Sequence, residues 1–150
     1  MQRGVVCFGA VAAIALLCAL TGCKKGGFPA RSPVSGRVLL DQKPVEGALV
    51  LLHATSDVPQ VTRPQGSTDR EGRFQLTSME LNDGAHPGEY AITVVLRELQ
   101  PDGDEMVRNG RNLLPARYAS PDTSGLTATI LSGVNELPPI ELTSDEKTKP

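Results

Sequence analysis

The chain has 150 residues, a formal net charge of −2, no tryptophan and 3% aromatic residues. A slightly acidic chain with no basic patch beyond Lys24-Lys25 excludes a nucleic-acid-binding surface, so no nucleic-acid partner is expected. Val, Leu, Ile and Ala are plentiful, enough for one domain of this size to fold without staples.

The first element is a leader. Arg3 gives a short positive n-region, residues 4–19 are an uninterrupted run of apolar and small residues, and Leu20-Thr21-Gly22-Cys23 closes it in small residues. That is the layout of a secretory signal peptide. A membrane span needs about 20 mostly apolar residues; this run is shorter, and a retained transmembrane anchor is disfavoured.

Leu20-Thr21-Gly22-Cys23 resembles the lipobox of bacterial lipoproteins, a Leu, two small residues and a Cys. The resemblance implies that the Cys23 thiol receives a diacylglycerol, that signal peptidase II cuts between Gly22 and Cys23, and that the new amino terminus is acylated. Cys7 and Cys18 lie in the discarded segment, so the mature chain keeps Cys23 alone and forms no internal disulfide. One acyl chain holds a protein to a bilayer only marginally; several make the attachment effectively permanent. Residues 1–22 are therefore read as signal peptide, and 23–32 as lipidated Cys and flexible tether. A tether this short has a reach of about 15–20 Å, and its two lysines would meet anionic headgroups.

The remainder reads as strands. Val34, Val38 and Leu40 alternate with polar residues. Residues 41–47 form a turn, 48–54 a nearly continuous apolar central strand, and 55–65 a polar loop. Asp69-Arg70-Glu71-Gly72 is a tight turn in which Asp caps the backbone and Gly takes positive φ; Phe74 and Leu76 then point inward. Residues 89–99 are the clearest strand, with Tyr90, Ile92, Val94 and Leu96 on one face and Thr93 and Arg97 on the other. Residues 100–121 read as a long polar loop, functional or mobile. Residues 126–131 and 136–142 read as a final hairpin, its second strand an edge strand because Pro138 and Pro139 lack donors. No segment has helical periodicity of useful length. The expectation is an all-β sandwich over 33–143 and a polar tail over 144–150.

The series Pro33-Val34-Ser35-Gly36-Arg37-Val38, Lys43-Pro44-Val45-Glu46-Gly47-Ala48, Thr68-Asp69-Arg70-Glu71-Gly72-Arg73-Phe74 and Pro87-Gly88-Glu89-Tyr90 resembles the carboxypeptidase regulatory-like domain. Leu114-Pro115-Ala116-Arg117-Tyr118 followed by Thr123-Ser124-Gly125-Leu126-Thr127 resembles small lipoproteins of planctomycete-type bacteria. The resemblance implies a seven-stranded transthyretin-like (prealbumin-like) Greek-key sandwich serving as an accessory module without activity of its own.

Candidate chemistry is sparse. His53 sits in an apolar strand and His86 in a Gly/Pro loop, with no nucleophile elbow and no paired His ligands. The transthyretin-like enzyme 5-hydroxyisourate hydrolase carries a C-terminal Tyr-Arg-Gly-Ser signature that this chain lacks. Asp102, Asp104 and Glu105, or Asp69 and Glu71, do not match a calcium loop. No enzyme activity, cofactor or metal is expected. Arg108, Arg111, Arg117 and Tyr118 form the candidate binding loop, because Arg and Tyr are enriched at binding hot spots. The expected protein is exported, anchored by lipid to a bacterial membrane with its domain periplasmic or at the cell surface. Its expected role is structural, scaffolding or protein interaction, with an envelope protein or polysaccharide as partner. A carbohydrate- or polymer-binding module is the alternative, and a transthyretin-like hydrolase the weakest reading.

Overall fold

The computed structural model describes residues 30–55 and 63–144. The expected signal peptide with Gly22, the expected lipidation residue Cys23, the expected tether as far as residue 29 and the tail from residue 145 lie outside them.

The described chain is all-β and sandwich-like. Its strands are β1 (Val34–Leu40), β2 (Lys43–Pro44), β3 (Leu49–Ala54), β4 (Gln65–Ser67), β5 (Arg73–Gln75), β6 (Gly88–Val95), β7 (Arg97–Asp102), β8 (Glu105–Asn112), β9 (Leu126–Ile130), β10 (Asn135–Glu136) and β11 (Ile140–Leu142). A 3-10 turn at Ala116–Ala119 and a one-turn helix, α1, at Pro121–Ser124 pack against β6.

One sheet runs β4-β3-β6-β9, antiparallel throughout. The second is built on β1: β5 and β2 pair antiparallel along one edge, β10 and β11 parallel along the other. The strand alternation expected for Tyr90, Ile92 and Val94 holds, and these side chains meet Val34, Val38, Phe74 and Leu76 in one core. Leu52, Leu76, Ile130, Leu142, Val38, Val50 and Val94 are the most completely buried side chains; each contributes about 1.5–3 kcal/mol of transfer free energy. Gly36 faces Phe74 across the β1–β5 ladder. A β-carbon there would come 2.6 Å from Phe74 Cζ, so the missing side chain is what lets the ring approach β1 this closely.

The two sides of the sandwich differ. On one, Gln65 N and Thr77 N each donate to the other residue's carbonyl, 2.9 and 2.7 Å, and lace the sheets together. On the other, no ladder joins β9 to β10 or β11, and an open seam remains.

Three expectations are corrected. Residues 100–121 are not one loop: β7 and β8 form an antiparallel ribbon turned at Gly103-Asp104, with Gly103 at φ +65. Residues 126–142 are not a hairpin: β9 stays with β6, while β10 and β11 cross to the β1 sheet, Pro138 and Pro139 separating them. The strand beginning near residue 89 ends at Val95, and Arg97 opens the ribbon.

β6 fixes the long axis, about 25 Å for eight residues. Gly88 pairs with Ile130 at the end where Ser32 lies; Val95 pairs with Leu49 at the other, where the ribbon, Gly47, Tyr118 and Thr143 collect.

Candidate functional site at the far end of the sandwich

The four residues of the predicted binding loop lie at the end remote from Ser32, but they do not form one loop. Arg108 is on β8, exposed, and its Nη1 donates to the Arg97 carbonyl at 3.0 Å. Its guanidinium rests against Gly47, which has φ +73; any β-carbon there would strike the guanidinium. Arg97 in turn donates from Nη1 to the Gly110 carbonyl, 3.2 Å. Arg111, also on β8, pairs with Glu98 at 3.2 Å on the ribbon surface.

Arg117 and Tyr118 come together on the 3-10 turn. The Tyr118 ring is buried in the core, and its hydroxyl accepts from Thr143 N at 3.0 Å and from Arg117 Nη2 at 2.8 Å. The Arg117 guanidinium stands 4.6 Å from the ring centroid and also donates to the Thr143 carbonyl, 3.1 Å. Burial pushes the Tyr118 phenol up, but the bonds from Thr143 and the Arg117 cation outweigh it and hold it below a free tyrosine. Tyr118 thus plugs the sandwich end, while Arg117 is half-buried beside it. The arrangement is a rim of guanidiniums, each with five fixed N–H donors, facing away from the chain's point of arrival. Acceptor-rich surfaces, carboxylates above all, suit it.

Arg97, Gly47 and Thr143 are parts of this end that sequence reasoning missed. The Asp102-Gly103 dipeptide was the available signal, since such pairs mark tight hairpin turns and a hairpin there carries Arg97 and Arg108 on facing strands.

His53 Nε2 lies 2.9 Å from Thr93 Oγ1 on the outer face of the β3–β6 pair. Burial, and then the Arg63 cation, hold its pKa below the usual histidine value, so it is a packed, neutral side chain at pH 7. Asp69 accepts from the backbone N–H of Arg73 at 2.8 Å and of Glu71 at 3.0 Å, which is turn capping. Among the described residues no group of three or more His, Cys, Asp or Glu is placed to hold a metal ion. Phe74, Tyr90 and Tyr118 are all buried.

The open seam between β9 and β10–β11 is a groove of about 570 Å³, lined by apolar side chains such as Leu126, Ala128, Leu137 and Ile140. Pro138 and Pro139 blunt one of its edges against an added strand. A polar concavity of about 810 Å³ on the outer β1 sheet holds Arg37, Asp69, Arg73 and Glu136.

No known family model matches the chain, and no curated protein matches it in sequence. Among solved structures it is similar to a DUF3823 family protein from Parabacteroides merdae, at 16% identity and TM-score 0.39 over 77% of this chain and 47% of that one. It is also similar to a 9R-lipoxygenase from Cyanothece, at 14% identity and TM-score 0.45 over 79% of this chain and 18% of that one. A leucine-rich repeat protein from Bacteroides thetaiotaomicron follows at 13% identity and TM-score 0.39, over 79% and 12%. The chain spans about half the length of the first of these and less than a fifth of the others.

Proposed function

We propose that the protein is a non-enzymatic, lipid-anchored module of the bacterial cell envelope that engages a partner protein through its arginine-bearing far end. The observation that carries this reading is the separation of the two ends. The chain arrives from Cys23 at Ser32, and Arg97, Arg108, Arg111 and Arg117 stand beyond the opposite ends of β6 and β11. A module so built offers the surface remote from the membrane to whatever it scaffolds.

The finer family reading rests on the order of the turn motifs quoted above. Taking β2 with β5 and β10 with β11 as one edge position each, the two sheets hold seven strand positions, as a transthyretin-like, carboxypeptidase regulatory-like domain requires. Accessory scaffolding is the role such a domain brings to an exported lipoprotein.

Two measurements test the reading. Radiolabelled palmitate should enter the wild-type chain and be absent from Cys23→Ala; a wild type that takes up no label removes the anchor. A photo-crosslinker at Arg108, used in the native envelope, should capture a discrete protein that the same probe at Gln75 does not. Equal capture at both positions removes the far end as the binding surface.

A further inference from the structure

Two loops flank the point where the tether joins the domain. Ser32 exchanges backbone hydrogen bonds with Ala85, 2.8 and 3.1 Å, and its Oγ accepts from Gly133 N at 3.1 Å. The 78–84 loop therefore lies on one side of Ser32 and the 131–134 loop on the other, and Asn82 and Val134 border a common cleft with Pro33. Each loop displays two large aliphatic side chains to solvent: Met79 is 61% and Leu81 84% exposed, Leu131 65% and Val134 86%. Singly exposed apolar residues are ordinary, but four gathered around one point mark an interaction surface.

The loops are stiff. The Asp83 carboxylate accepts from the backbone N–H groups of Ser78, Met79 and Glu80 at 2.7, 3.2 and 3.1 Å and pairs with Arg31 at 3.2 Å. The Asn135 side chain accepts from Leu131 N at 2.9 Å and donates to the carbonyls of Leu131 and Gly133. Nothing needs to fold for the aliphatic tips to be presented, so ordering them on contact costs little.

We infer that Met79, Leu81, Leu131 and Val134 form a docking surface for the phospholipid bilayer, seating the membrane-proximal end of the domain in the interface beside its own anchor. This rests on the lipidation of Cys23 proposed above. Ser32 is the ninth residue after Cys23, so the two are at most about 30 Å apart in any conformation. At that range the bilayer is the apolar phase always present at a high local concentration. Lys24 and Lys25 follow Cys23 directly in the sequence and supply cations suited to anionic headgroups.

The chain has no tryptophan, so single reporters are clean. Leu81→Trp, Val134→Trp and, on the far ribbon, Met106→Trp (60% exposed) are made in the full acylated chain. Each is reconstituted into phosphatidylcholine–phosphatidylglycerol vesicles with brominated acyl chains. The expected result is at least two-fold quenching and a blue shift at 81 and 134, with 106 unchanged. A chain that floats with the vesicles while 81 and 134 stay as unquenched as 106 overturns docking and leaves the anchor standing. A blue shift without quenching means the loops are seated on protein and also overturns it. A wild-type chain that does not float overturns the anchor and the docking together.

Discussion

The two ends of the sandwich are held by different chemistry. At the tether end, backbone groups, one carboxylate and one amide clamp two short loops, and four large aliphatic side chains are left outside beside the exposed Glu80, Asn82 and Ser132. At the far end, guanidiniums do the holding: Arg97 and Arg108 tie the ribbon to itself, and Arg117 ties the 3-10 turn to Thr143. The tether-end clamps are short bonds from backbone groups to one side chain within each loop, whereas the far-end straps are long cationic side chains, weaker and salt-sensitive. The difference teaches which end is built to keep its shape and which to adapt.

The largest effect should come from Gly84. Its φ is +78, and a β-carbon would collide with the Ser32 carbonyl. Gly84→Ala should therefore cost about 3 kcal/mol or more, read as a fall in the urea midpoint, with the amides of the tether end losing protection first. Asp83→Ala should follow at about 2–3 kcal/mol, because three N–H donors and Arg31 lose an ionised acceptor. Burial pushes the Asp83 carboxyl up, but the three N–H groups and Arg31 win and set it below its ordinary 3.8. That stabilisation is complete above pH about 4 and is lost as pH falls through the lowered folded value, because the unfolded chain takes up the proton first. Acid unfolding curves should show a shallower limb in Asp83→Asn than in wild type.

The far end should respond less. Tyr118→Phe removes the acceptor of Thr143 N and Arg117 while keeping the ring, and should cost about 1–2 kcal/mol. Arg108→Ala should cost less than about 1 kcal/mol globally. Its effect should appear instead in hydrogen exchange, as faster exchange across Glu105–Asn112, since an isolated two-stranded ribbon is marginal in water. If Arg108→Ala destabilised the domain as much as Gly84→Ala, the contrast between the ends would be gone.

What the sequence made legible follows the same division. Phe74, Leu76 and the Tyr90–Ile92–Val94 face were readable because period-two alternation is imposed wherever one sheet face is buried. The Asp69–Gly72 turn was readable because its residues carry the geometry locally. The ribbon was not, because neither of its faces meets the core and its strands are polar on both. The crossing of β10 and β11 to the β1 sheet was hidden for another reason: parallel pairing with a strand about 100 residues away leaves no local trace, and Pro138-Pro139 marked only an interruption. Arg108, Arg111, Arg117 and Tyr118 could be singled out as a candidate binding loop by residue type, but their partners Gly47, Glu98 and Thr143 are set by topology alone.

The position of β1 has a mechanical consequence. It is the first strand after the tether and the middle strand of its sheet, hydrogen-bonded along both edges, with β10 and β11 running parallel to it. Under the anchoring at Cys23 and the far-end partner proposed above, tension between the two would be directed along this strand. Its ladders with β5, β10 and β11 then bear the force together in shear, rather than parting one rung after another as in peeling. Resistance to forced unfolding is governed by the unfolding barrier rather than by equilibrium stability, and a centrally placed leading strand raises that barrier for pulls along the molecule's axis.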